Sequence, residues 1–432
     1  MSTPVVQTIP GDERCIRIPS HRASLLSTPH SASQLMLGYT IVGTVGAVTT
    51  FLATFLMRWL APRIGAISLP GPRSVHTYPT PSLGGAGMFL GFLAALATAS
   101  QLKQFSEMFD TSSEPLGLVL AAGVMFVVGA LDDLRDVSPP AKVAGQVLSG
   151  SVLSILGVTM LYFRVPFASY DYIVLSPNLA ALVTVLTVVL LANALNLIDG
   201  LDGLAAGIVI IAGAAFFLYS DRLFKAGLID GSNIAPLVAV IAVSISAGFL
   251  PHNFNPARIF MGDAGAMFLG LLLAVMTITV GGRTADQFSG QTYFFFAPLL
   301  IPIVILAVPL VDTASSFLRR LWRHQSISTA DREHLHHRLM VLGHGPRRTV
   351  VLLWLWTALL SAAALIPTYT NRGNALVPLA IGGLALLLFT YFHPGVRIRR
   401  EEVAAAARAD AAASPTGDAI VDLDERRRAR SG

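Results

Sequence analysis

The chain has 432 residues, of which 53% are hydrophobic and only 13% charged, with a formal net charge of +5. A soluble domain carries about 25% charged residues, and the mean hydropathy is +0.65, so the composition excludes an ordinary water-soluble domain and points to an all-α integral membrane protein. No basic stripe interleaves with aromatic residues, which argues against a nucleic-acid partner. The single cysteine, Cys15, allows neither an intrachain disulfide nor a thiolate metal site.

Residues 1–35 are polar and lack the basic-then-apolar order of a signal peptide, so they read as a disordered tail. Eleven apolar segments follow: 36–60, 83–101, 116–131, 141–163, 178–198, 203–220, 234–250, 264–281, 292–318, 349–367 and 375–393. They predict about eleven transmembrane helices in one membrane domain, 36–393. Residues 394–432 are charged and read as a second disordered tail.

Four polar clusters interrupt this apolar chain. The first is Asp132-Asp133, at the end of the third segment, with Lys142 ten residues after Asp132. Adjacent carboxylates repel and favour a shared cation or proton, and hard divalent cations prefer such oxygens. A solvated acidic loop including Asp136 is the plainer reading. The second cluster is Asn193, Asn196, Asp199 and Asp202, one polar group every third residue, with Gly200 between the two acids and Gly203 just after them. Residues three apart on a helix are neighbours, so a polar stripe runs into a hinge between the fifth and sixth segments. These groups can bind metal, ribose hydroxyls or phosphate-bound water. Interhelical packing is the alternative.

The third cluster joins Asn253 to Gly262-Asp263-Ala264-Gly265. Its glycines let backbone approach a ligand closely. Asp263 at a helix start is either a metal ligand or a helix cap. The fourth lies after the ninth segment. Ser328-Thr329-Ala330-Asp331 has the form of a capping box, and His334, His336, His337, Arg332 and Arg338 follow. They suit a pyrophosphate. Zinc and a plain juxtamembrane helix are the rivals. Asp312, within the ninth segment, is a further acid inside the membrane. Arg73, His76, Pro81, Gly84 and Gly85 form a turn that either touches phosphate or simply precedes a helix.

All four clusters follow odd-numbered segments, so they share one side of the membrane. Twelve Lys and Arg residues occupy the connections on that side and six occupy the other. The excess of positive charge marks the cytoplasmic face. This orientation puts the N-terminus outside and the C-terminus in the cytoplasm.

These motifs together resemble the polyprenyl-phosphate N-acetylhexosamine-1-phosphate transferases. The likeness covers roughly residues 36–390. It rests on Asp132-Asp133 with Lys142, the Asn193-to-Gly203 run, Asn253 with Pro256-Ala257 and Phe260-to-Gly265, and Asp331-Arg332-x-His334-x-His336-His337. The interrupted histidine motif and the short Asp132-to-Lys142 interval resemble the N-acetylglucosamine branch; the alternative is the muramoyl-pentapeptide branch. Ala266 stands where the family often has serine.

The resemblance implies a UDP-sugar donor, a polyprenyl phosphate acceptor in the bilayer of a bacterial inner membrane, release of UMP, and Mg²⁺ with Mn²⁺ as a substitute. It allows a homodimer. Asp263 is the first choice of metal ligand, and the resemblance makes Asn196 the second. Asp132 and Asp133 are assigned to catalysis at the acceptor phosphate. Lys142, Asn193, Asp199, Asp202, Asn253, His334, His336, His337 and Arg338 are assigned to donor binding. Two other classes compete. Asp132-Asp133-x-x-Asp136 resembles the acidic signature of a membrane prenyltransferase. An ion-coupled transporter would instead place its acids near the midplane, often in broken helices.

Overall fold

The structure, a computed structural model, describes residues 29–70, 78–135, 137–163, 173–281, 306–308, 310–311, 314–315, 339–340, 344–370, 374 and 376–392. With no water to satisfy backbone groups inside a bilayer, a chain this apolar closes its hydrogen bonds within helices. The long ones are α1 (Pro29–Ile64), α2 (Gly84–Gln101), α4 (Glu114–Arg135), α5 (Pro139–Ile155), α6 (Pro177–Ile198), α7 (Leu204–Lys225), α8 (Ala235–Asn253), α9 (Gly262–Gly281), α10 (Pro346–Thr370) and α11 (Leu376–Phe392), with a short α3 (Ser106–Thr111). Proline opens α5, α6 and α8 within the first two positions, where its missing N–H is no loss.

The helical class holds, with one addition. Two small antiparallel strand pairs join the helices: β1 (Ile67–Ser68) with β2 (Thr80–Pro81), and β3 (Tyr162–Phe163) with β4 (Ile173–Val174). Among the described residues seven helices are long and apolar enough to cross a membrane, or eight if the pair Gly84–Gln101 and Lys103–Thr111, bent by 88°, is one span. The expected eleven are not reached. Hydropathy carries the fourth segment over 141–163, but α5 stops at Ile155, where Leu156 and Gly157 turn and the chain becomes extended. Hydropathy alone cannot see that turn. α11 has 17 residues, short of a full span. The ninth segment lies mostly outside the described residues.

The centre of the bundle is α9. The apolar stretch of α9 is 94% buried, against 28% for α1, and α9 packs on α2, α4, α6, α7 and α8. A helix apolar on every side belongs in such a place. Small residues allow the approach: a Cβ added to Gly129 of α4 would run into the Ala264 backbone, and one added to Gly85 of α2 would run into Gly265. Phe51, Phe55 and Trp59 of α1 are exposed at the periphery, where lipid is their solvent.

The connectivity brings the C-terminal ends of α4, α6 and α8 to the same end of the bundle as the N-terminal ends of α2, α5, α7 and α9. Backbone bonds tie this end together. Gly84 N–H donates to Phe260 O and Gly85 N–H to Met261 O, each at 2.9 Å, while Phe260 N–H donates to Pro81 O at 2.8 Å. The amides of Gly84 and Gly85, in the turn read either as a phosphate contact or as a plain helix entry, are therefore used in packing.

Candidate active site

A helix begins with amide protons that lack partners inside it. In α9 those of Asp263 and Ala264 are taken by Asp133 on α4, through Oδ1 at 2.8 Å and Oδ2 at 3.1 Å. The preceding Gly262 has φ of +70°, a region that glycine enters freely. Its missing side chain matters as well, since a Cβ there would collide with the Asp133 carboxylate. So Asp133 is a cap supplied by another helix, and it sets where the Asp263 side chain starts.

From that position Asp263 Oδ2 accepts from Lys142 Nζ at 2.7 Å and from Asn196 Nδ2 at 3.2 Å. Lys142 also forms an ion pair with Asp132. The other Asp132 oxygen accepts the Val137 N–H at 2.7 Å, closing the α4–α5 turn. Side-chain exposure is 25% for Lys142 and Asp263 and 12% for Asp132. The centre is thus shielded but open to a ligand. Three helix ends, from α4, α5 and α9, meet here, with α6 supplying Asn196.

The hinge between α6 and α7 adds Asp199 and Asp202. Burial first, then the charges of Asp263, Asp133 and Asp202, hold the Asp199 carboxyl well above its ordinary value of 3.8. Asp202 Oδ2 accepts from Asn255 Nδ2 at 2.8 Å and from Ala257 N–H at 2.9 Å. Buried Asn253 receives Gly203 N–H at 2.8 Å and donates to Ile259 O at 3.0 Å. Asn193 lies one turn deeper than Asn196. It donates to Gln146 Oε1 and to Val189 O, each at 2.7 Å, and Gln146 in turn reaches Met267 Sδ at 3.2 Å.

The structure therefore brings Asp132, Asp133, Lys142, Asn196 and Asp263 into contact, with Asp199 in their field. Asp202 and Asn253 organise the loops around that centre. Asn193 sits in an amide pair between α5 and α6. His334, His336, His337, Arg338, Arg332, Asp312, Asp136, Arg73 and His76 lie outside the described residues. Two contributors escape a motif-based reading. Gln146 is a lone amide on an apolar helix, and Asn255 hides in a Pro-containing turn. Asn255 next to Pro256 was the one usable signal, since such pairs mark turns.

The residues fit a divalent cation. Four carboxylates (Asp132, Asp133, Asp199 and Asp263) stand near one another, and Lys142 is the cation paired with them among the described residues. Among those residues no three His, Cys, Asp or Glu side chains converge as a ready metal cage. That donor set suits Mg²⁺, which takes one or two carboxylates and completes its shell with water and substrate phosphate.

Apolar helices whose polar ends converge on a carboxylate–lysine centre define a multi-pass membrane protein with a charged site at one end of its bundle. Residues 115–281 match glycosyl transferase family 4. The decaprenyl-phosphate N-acetylglucosaminephosphotransferase of Mycobacterium leprae (strain TN) is 36% identical over 357 residues, 81% of this chain and 89% of that protein. A probable undecaprenyl-phosphate N-acetylglucosaminyl 1-phosphate transferase of Bacillus subtilis (strain 168) is 30% identical over 331 residues, 77% and 85% of the two chains. The undecaprenyl-phosphate alpha-N-acetylglucosaminyl 1-phosphate transferase of Escherichia coli (strain K12) is 28% identical over 346 residues, 79% and 87%. The chain belongs to this family of polyprenyl-phosphate N-acetylhexosamine-1-phosphate transferases, on its N-acetylglucosamine branch.

Proposed function

We propose that this chain transfers N-acetylglucosamine 1-phosphate from UDP-N-acetylglucosamine to a membrane polyprenyl phosphate and releases UMP, the first lipid-linked step of cell-envelope polysaccharide synthesis. The names of its relatives support the acceptor class and the sugar. The observation that carries the reading is the convergence of Asp263, Lys142 and Asp132 at a shielded helix-end junction.

In the reaction an oxygen of the lipid phosphate attacks the sugar-bearing phosphorus of the donor, and the bond from that phosphorus to UMP breaks. Both partners are anionic, so neutralising charge is the main task. Asp263 and Asn196 would hold a Mg²⁺ ion there, and the chemistry it would supply is electrophilic stabilisation of the donor pyrophosphate. Lys142 pulls Asp132 and Asp263 together and offers its ammonium to an incoming phosphate. Asp132 faces the acceptor phosphate and orients it. A phosphate monoester has a second pKa of about 6, so positioning matters more than strong base. Asp133 holds the first turn of α9, and through it the height of Asp263. Asp199, Asp202 and the 334–338 histidine segment serve the donor. A covalent phospho-aspartyl route is the second mechanism, and trapping of labelled protein distinguishes it.

The positive-charge bias supports a site facing the cytoplasm of a bacterial inner membrane. On the eleven-segment reading, an odd number, the N-terminus lies outside. The test is incubation of purified protein with labelled UDP-N-acetylglucosamine, polyprenyl phosphate and Mg²⁺, with UDP-muramoyl-pentapeptide in parallel. Lipid-linked N-acetylglucosamine phosphate and UMP are expected. Pyrophosphate without UMP would indicate a prenyltransferase, and solute uptake without turnover a transporter.

A further inference from the structure

Outside the carboxylate centre, Arg347 is held in place by an amide rather than by a carboxylate. Arg347, in the first turn of α10, donates from Nε to Asn255 Oδ1 at 3.0 Å. Asn255 gives its Nδ2 to Asp202 at 2.8 Å, and Asp202 also binds the Ala257 amide. The amide of Asn255 is thus used on both sides, which fixes its orientation and aims the guanidinium. An arginine has five N–H donors. One goes to Asn255, and no described residue is bonded to the other four. They form a fork suited to two phosphate oxygens.

Local energetics do not account for this arginine. A cation in the first turn opposes the helix dipole, and that turn of α10 holds no acidic residue. Arg347 is exposed, so it contributes little to packing. Its strut ends at Asp202, in the hinge whose other carboxylate, Asp199, lies in the field of Asp263. α10 packs on α7, whereas α5, which carries Lys142, packs on α4 and α6. The two cations are therefore carried by helices that pack on different partners.

We infer that Arg347 binds a phosphate of the nucleotide half of the donor, and that Asn255 is the positioning residue that holds it there. This rests on the transferase reading above. The lipid phosphate arrives from the bilayer, while Arg347 stands exposed in the first turn of α10, open to a water-soluble nucleoside diphosphate sugar. Lys142 and Arg347 then divide the work, with Lys142 at the reacting phosphorus and Arg347 on the departing UMP.

The test uses the full-length protein in detergent or lipid nanodiscs, with matched melting temperatures for each variant. Calorimetry reads UDP-N-acetylglucosamine binding, and a coupled assay reads UMP release and both Michaelis constants. Arg347→Gln is expected to weaken donor binding about tenfold, the size of one charge-assisted hydrogen bond, and to leave the polyprenyl phosphate KM unchanged. Arg347→Lys should recover part of that loss. Asn255→Ala should raise the donor KM in the same direction, with little added in the double variant. A donor Kd unchanged in Arg347→Gln, or an equal rise in both KM values, would overturn the inference while wild-type UMP release keeps the transferase reading intact. Donor binding that depends on Arg347 in a wild type that releases no UMP would do the reverse.

Discussion

The Asp133 carboxylate on α4 receives the backbone N–H of Asp263 on α9 at 2.8 Å, 130 residues away in the chain. One acid fixes the backbone of another, whose side chain is left to Lys142 and Asn196. Removing Asp133 therefore acts on two levels. Asp133→Ala should lower stability by about 1 to 2 kcal/mol through the lost cap, and turnover should fall because Asp263 loses its anchor. Asp133→Asn, with one carbonyl oxygen left to accept, should retain more of both. Thermal melting and UMP release measure the pair. Full activity in Asp133→Ala at unchanged melting temperature would remove the cap from the account.

Asp263→Ala should abolish nearly all turnover, since it removes the partner shared by Lys142 and Asn196. Mg²⁺ titration of donor binding should lose its dependence on the metal. Wild-type turnover in this variant would refute the assignment of Asp263.

Lys142 joins Asp132 to Asp263. Lys142→Met leaves two neighbouring carboxylates without their cation, so kcat should drop by at least about tenfold, the scale of one charge-assisted bond. Because the lysine is 25% exposed, solvent and salt should soften the effect on stability. Unaltered kcat with altered melting would make the residue purely structural.

Gly262→Ala places a side chain at φ +70° and against the Asp133 carboxylate. The left-handed backbone alone costs about 1 to 2 kcal/mol. Melting temperature and activity should fall together, mimicking Asp133→Ala, and the double variant should add little. Additive losses would show that the two sites act separately.

Asp199 gives a pH dependence of definite sign. Its carboxyl is held well above 3.8 by burial and by Asp263, Asp133 and Asp202. As pH rises past 3.8 the unfolded chain gives up this proton while the folded chain keeps it, so folding stability falls up to the folded pKa. In metal-free buffer Asp199→Asn should stabilise the protein, with a gain that is absent at acid pH and grows toward neutrality. Denaturant melts at several pH values test this, and a gain independent of pH would contradict it.

Much of the site could be read along the chain. Asp132, Asp133, Asn196 and Asp263 stand out because an acid or amide beside an apolar run is costly without a task. Their common side of the membrane follows from counting segments, and the structure gathers them at one end of the bundle. The roles were less legible. Asn193 and Asn196 look alike at a spacing of three, yet one pairs with Gln146 and the other with Asp263. Arg347 gave no signal beyond its charge. The span count failed at α5, where a turn at Leu156–Gly157 ends a helix that hydropathy carries on to residue 163.

Apolar runs long enough for a bilayer and polar groups at their ends establish a helical membrane protein and its chemical inventory, because both are properties of residue type and local order. Which oxygen meets which nitrogen was decided only in three dimensions. Asp132 and Asp133 are neighbours of the same type, but successive residues on a helix point about 100° apart. One consequently turns to Lys142 and the other to the first amides of α9.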